Sequence, residues 1–259
     1  MKKLKPSRIL VLSTLLTREL IRDKVFLSLS GAAVLLVFAS LILNEMVVGI
    51  QVKATKDLGL SVMNFFSLFI PIFLGINLVS GNLNNKSLYV IFAKPVTRTQ
   101  YLLGCFFSVL LAVACGILVI TLTIFFLSFL QGQTWIAGLL AAAYLTLLEM
   151  TLILSFAIFF ALITSPQLAM FLTLLTYIIG HTLQQAVLIV HSSSNFVLKY
   201  IIIICNTILP NLEFLNKKQE IIYRLPISFS YYFNATLYTL SYSVLIFIFC
   251  VFLSRRKEL

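Results

Sequence analysis

Residues 136–163, IAGLLAAAYLTLLEMTLILSFAIFFALI, decide which solvent this chain folds in. One charged side chain, Glu149, interrupts an apolar run longer than the roughly 20 residues that cross the hydrocarbon of a bilayer at 1.5 Å rise per residue. With no water inside that layer, backbone N–H and C=O groups must pair within the segment, so the run reads as a spanning helix. Working outward, comparable runs occupy about 25–48, 60–80, 101–130, 168–190 and 230–253, and together they predict an all-α integral membrane protein with six transmembrane helices in one domain, 1–259. The run at 101–130 is long enough to need tilt, and Pro71 is expected to kink the second helix without ending it.

Composition agrees: 61% of residues are hydrophobic, 10% are charged and the mean hydropathy is +1.07, far from a soluble domain. The net charge of +11 invites a nucleic-acid reading, but Lys and Arg sit at helix ends and in loops, with no basic face interleaved with aromatics. Membrane orientation accounts for them: with the N-terminus inside, thirteen of the nineteen basic residues are cytoplasmic, among them Lys2, Lys3, Arg98, Arg255 and Arg256. Both termini are therefore expected in the cytoplasm, and residues 191–229 outside as a loop with short helices. Within that loop 196–209, FVLKYIIIICNTIL, is short for a span and is placed at the outer surface. Trp135, Tyr231 and Tyr232 fall at expected outer interfaces. Cys105, Cys115, Cys205 and Cys250 lie in apolar runs without metal-ligand spacing and read as packing residues; no metal site is expected. The charges scattered through the first 24 residues spoil a signal-peptide core, so the N-terminus is expected to be retained.

Three segments carry candidate function. Residues 8–24 pattern as an amphipathic helix on the inner leaflet, with Leu12, Leu16 and Leu20 on one stripe and Arg18 and Arg22 on another. The cytoplasmic loop 81–100, GNLNNKSLYVIFAKPVTRTQ, places Leu88, Ile91, Phe92 and Pro95 at helical spacing up to the proline, fitting a short helix that lies on lipid or fills a partner's groove. Within the membrane, Glu149 lies near the middle of its helix, and Thr173, Tyr177, Gly180, His181 and Gln184 form a polar stripe on the next. By residue count Glu149 and His181 lie at similar depth, so they can pair, either as helix glue or as a polar path. His191 and Glu45, near outer helix ends, need no site.

In order and wording the chain resembles the integral-membrane subunits of type-2 ATP-binding cassette (ABC) exporters, including permeases linked to nitrous-oxide-reductase maturation and gliding motility. LLTRELIRDKVFLSL, residues 15–29, is similar to that family's amphipathic elbow helix running into the first span. KSLYVIFAKPVTRTQYLLG, residues 86–104, resembles its segment of glycine, threonine and leucine followed by proline, a small residue and arginine. LPNLEFLN, residues 209–216, and the basic ending FCVFLSRRKEL resemble the segment before the last span and the C-terminus. This chain departs in having Asn84 and Asn85 where the family often has acids, Lys86 for the glycine, Ser87 for the threonine and Cys105 for a lysine.

The resemblance implies a transport subunit of the bacterial inner membrane, not itself an enzyme, paired with a second copy of itself or a related permease. Two cytoplasmic ATPases would carry the pair, with Leu88, Ile91, Phe92, Pro95 and Arg98 coupling ATPase closure to the membrane helices, and ATP and magnesium would be held by the partner. The chain has no GxxxxGK[ST] loop to cradle a phosphate itself. Two other classes compete. An intramembrane metalloprotease or lipid hydrolase would want HExxH or an acid flanking a histidine, and His181 and His191 have neither. An ion-coupled secondary transporter would favour paired broken helices or repeats, and none is visible.

Overall fold

The computed structural model describes residues 6–46, 51–84, 98–132, 136–191 and 209–256, and all the secondary structure among them is helical. Helix α1, Pro6–Ile21, buries Ser13, Leu16, Thr17 and Leu20, a stripe at helical spacing, and leaves Leu15, Arg18 and Glu19 outside. The side chain of Leu12 lies outside the described residues. The buried stripe lies against α5, Arg98–Leu130, where the Thr17 hydroxyl donates to the Ser13 carbonyl at 2.7 Å and approaches the Ser108 carbonyl at 3.3 Å. At the end of α1, Asp23 turns the chain: its carboxylate accepts the Val25 N–H at 2.7 Å and so caps α2, Lys24–Met46.

Helix α3, Gln51–Ile70, continues through a π-helical turn, Pro71–Gly75, into α4, Ile76–Asn84. Proline offers no N–H to the preceding turn, and the chain answers with a widened turn that keeps the helical path running. α4 stays helical to Asn84, into the segment read as a cytoplasmic loop, because a helix can outrun the hydrocarbon once its ends reach water. Residues 85–97, with Leu88, Ile91, Phe92 and Pro95, lie outside the described residues, as does the side chain of Arg98. The same holds for Trp135, Cys205 and nearly all of 196–209. Three long helices come next, α5 with 33 residues, α6, Ile136–Ile163, and α7, Pro166–His191; after a 3-10 turn Glu213–Leu215 and the short α8, Lys218–Ile222, a fourth long helix, α9, Phe229–Arg256, completes the described set.

Among the described residues, five segments are helical, long and apolar enough to cross a membrane: Lys56–Ser80, Thr99–Leu130, Ile136–Ile163, Pro166–Val187 and Phe229–Ser254. α2 is 23 residues long, but its described side chains end at Ser40, so it stands apart from those five. α6 is the hub, packed on α3, α5, α7 and α9, with 78% of its most apolar stretch buried; for α9 the share is 22%. α9 turns Phe233, Leu237, Leu240, Val244, Ile248 and Phe252 outward, an apolar exterior that suits lipid and not water. Inside, small residues set the spacing: a Cβ on Gly116 of α5 would fall 2.7 Å from Ile70 Cδ1 of α3.

Part of the segment read as an outer loop is packed on the bundle. The 3-10 turn lies against α6 and α7, α8 lies against α6 and α3, and Leu212, Leu215 and Ile221 are buried. Apolar side chains at 212, 215 and 221 give the segment one face to bury, and that face packs against the helix cluster.

Candidate functional site

The buried face of that segment meets α6 and α7 at a cluster of charge. Glu149 projects from α6 with only 1% of its side chain exposed, so it needs a partner of its own. His181 of α7 supplies one, with Nε2 2.6 Å from Glu149 Oε1. The other ring nitrogen, Nδ1, lies 3.0 Å from Oε2 of Glu213, in the 3-10 turn. One imidazole therefore joins two membrane helices to the segment between α7 and α9. Tyr177, one turn before His181, sets its ring edge-on to the imidazole at 4.6 Å and fixes its plane from below.

The turn carrying Glu213 is built from its neighbours. The Asn211 side-chain oxygen accepts the Phe214 N–H at 3.2 Å, so Asn211 opens the turn as a local cap. Leu212 donates its N–H to the Gly180 carbonyl at 3.1 Å, and its side chain fills the space where a Cβ on Gly180 would stand, 2.7 Å from Leu212 Cγ. Glycine at 180 is what lets the turn approach α7 this closely. On the other side the Asn211 N–H donates to Tyr238 Oη of α9 at 2.7 Å, and the Tyr231 hydroxyl donates to the Phe214 carbonyl. The Asn216 side-chain amide donates to Glu213 Oε2 at 3.2 Å, leaving that carboxylate with two partners.

Beside Glu149 lies a narrow cavity of about 10 Å³, bordered by Asn64, Thr146, Asn216, Lys217 and Lys218, with room on the order of one water. Thr146 donates to Asn64 Oδ1 at 2.9 Å, tying α6 to α3. Burial pushes the Lys218 ammonium below the usual lysine range, against the pull of Glu149, Asp57 and Glu213. Burial would raise the Glu220 carboxyl, but the hydrogen bond and charge of Lys217, 2.6 Å away, hold it below the usual carboxylate range.

Of the residues singled out in the sequence, Glu149, Tyr177 and His181 come together. Thr173 is buried but gives its hydroxyl to the Ala169 carbonyl at 2.7 Å, and Gln184 is exposed. Glu213, Lys218, Asn64 and Thr146 were not singled out. Glu213 left one signal: it is one of only eight acidic residues, set among leucines in LPNLEFLN.

Chemically the cluster holds protons. A ring lone pair facing a carboxylate oxygen is repelled, so each of the two N···O contacts contains a proton. With both carboxylates ionised that is an imidazolium, and with the ammonium of Lys218 the four charges sum to zero. Because both ring nitrogens are occupied by carboxylates, His181 is not placed to serve as base for a serine or cysteine nucleophile. No group of three or more His, Cys, Asp or Glu side chains is arranged to hold a metal ion among the described residues. No protein-family model matches this chain, and no curated protein matches it.

Proposed function

We propose that the chain is the membrane-spanning subunit of an ABC exporter of the bacterial inner membrane, working as a pair and driven by ATP hydrolysed on separate cytoplasmic subunits. The observation that carries this reading is sequential: four segments similar to the family's, 15–29, 86–104, 209–216 and the basic tail, occur in the family's order around long apolar helices. The fold supplies compatible parts. α1 buries one stripe and exposes charge on the other, as an elbow helix lying in the inner interface would, and α2 serves as the sixth span. In this reading 81–100 docks on the ATPase through Leu88, Ile91 and Phe92, with Pro95 ending the docking helix and Arg98 opening the next span. ATP-driven closure below then changes the separation of two protomers above.

The test is co-purification with the ATPase from a neighbouring reading frame. Burying Phe92 in a groove is worth roughly 1.5 to 3 kcal/mol, so Phe92→Asp weakens the complex by about tenfold or more, while Lys53→Asp on the opposite side leaves it intact. If Phe92→Asp keeps the ATPase and full substrate-stimulated hydrolysis, the coupling reading fails.

One observation favours a second reading, an ion-coupled secondary transporter: an imidazole held between two carboxylates, one of them near the middle of a long apolar helix, is the kind of group that carries protons across membranes. Proton uptake by liposomes containing the chain alone, without any ATPase, would decide for it.

A further inference from the structure

Glu149 and His181 sit on membrane helices, but Glu213 does not, and the three differ in their access to water. Side-chain exposure runs 1%, 19% and 32% along the row, so Glu213 is its most exposed end. Glu213 also belongs to the segment whose remaining ties to α7 are the Leu212 N–H to Gly180 and the packing of Leu212 on that glycine. Removing one proton from the row leaves one lone pair facing a carboxylate. The contact to Glu149 is the shorter, 2.6 Å to a carboxylate that is 1% exposed; the contact to Glu213 is the longer, 3.0 Å to one that is 32% exposed, so a bare lone pair costs least on the Glu213 side.

We propose that Glu149, His181 and Glu213 form a proton-operated latch, which holds the Glu213 turn of the 209–222 segment against α6 and α7 while the second proton is bound and loosens it when that proton leaves. On release Glu213 turns to water, still held by Asn216. The segment then keeps its ties to α9 through Tyr238 and Tyr231, which act as the hinge side, and the packing of α8 on α6 and α3. This inference goes beyond the exporter reading and does not depend on it.

Other groups face the row. Tyr177 comes from α7, Lys218 and the Lys217–Glu220 pair from α8, Asp57 from α3 and Tyr231 from α9. The Lys217–Glu220 pair answers pH in the opposite sense, weakening as pH falls through the lowered range of Glu220, so it does not produce an alkaline release. Lys218, held below its usual range by burial, is the group that could imitate one, and it is separated by substitution.

The experiment is hydrogen exchange on the 259-residue chain in lipid nanodiscs, with pH raised in steps from about 5 and rates corrected for intrinsic base catalysis. The reporters are the Leu212 and Leu215 amides, with α6 amides as the folding control. The latch requires corrected exchange in 209–222 to rise about tenfold, the equivalent of about 1.4 kcal/mol, while α6 stays protected. Glu213→Gln, whose uncharged amide can accept from Nδ1–H or turn and donate to a bare Nδ1, is expected to remain shut across the range, and Lys218→Met to keep the response. A wild-type profile without a rise overturns the proposal with no variant needed. A response that survives Glu213→Gln, or one abolished by Lys218→Met, overturns it equally, since the switch would then lie elsewhere.

Discussion

A carboxylate that is 1% exposed is tolerable only while its counterpart is present, which makes the Glu149–His181 pair asymmetric. His181→Leu strands a buried acid and is expected to cost about 3 to 5 kcal/mol. Glu149→Leu leaves a partly exposed imidazole that still has Glu213, and its expected cost is nearer 1 to 2 kcal/mol. Glu149→Gln keeps an acceptor for Nε2–H and should lie closest to wild type. Denaturant unfolding in micelles would rank the three, and equal losses for the two leucine variants would contradict the asymmetry. Gly180→Ala tests the seat of the turn, since the new methyl would stand 2.7 Å from Leu212 Cγ and 3.1 Å from the Pro210 carbonyl oxygen. Overpacking of that kind costs about 1 to 3 kcal/mol and should speed exchange at Leu212 before it disturbs α6. Glu149 and His181 could be picked out because each is a polar group in an apolar helix. Glu213 could not, because an acid beside two asparagines in a loop looks solvated until the fold shows what covers it.

The helices differ in what fixes them. α1 is held to α5 by one buried stripe in which Leu16 and Leu20 are the apolar members, so Leu20→Asp, placing a charge where 6% of the residue is exposed, should release α1 to proteolysis without expelling α5 from the membrane. If α1 remained protected in that variant, its attachment would rest on lipid and not on α5. α8 shows how a short helix responds to pH. Because Lys217 holds Glu220 below the usual carboxylate range, the pair's contribution is full above the ordinary carboxylate pKa and is lost as pH falls through the lowered one. Lys217→Ala should therefore remove an acid-side loosening of 218–222 and leave the alkaline side unchanged, which peptide-level exchange would register. The second helix illustrates a limit of pattern reading. Pro71 announced a disturbance, but whether it would be a break, a kink or a π turn depended on how buried Ile72, Leu74 and Gly75 fit their neighbours.

For the bundle taken together, parity decides topology. Five crossings put the two termini on opposite faces of the membrane, and six put them on the same face. With α2 crossing, reporters at both termini and at residue 90 should read cytoplasmic, and reporters at residue 55 and in 192–228 external. An external C-terminus would remove α2 from the spanning set or add a span at 196–209. The exposed apolar faces of α9 and α7 belong to the same question, since they are where lipid or a second protomer would lie.

The solvent, the helical class and the approximate extent of most long helices were legible in the amino-acid order, because a bilayer leaves a backbone few ways to satisfy its hydrogen bonds and the apolar run length measures the crossing; the run at 60–80 understated its helix, which begins at Gln51 and continues to Asn84. The candidate pair could also be named from depth along two helices, since rise per residue is constant. Tertiary structure alone decided that α6 is the hub, that Gly180 admits Leu212, and that Glu213 closes the second side of His181. Those outcomes depend on helix rotation and on how the 209–222 segment packs on the bundle. Neither leaves a periodic trace in sequence, because contacts between segments far apart in the chain are set by shape complementarity and not by local spacing.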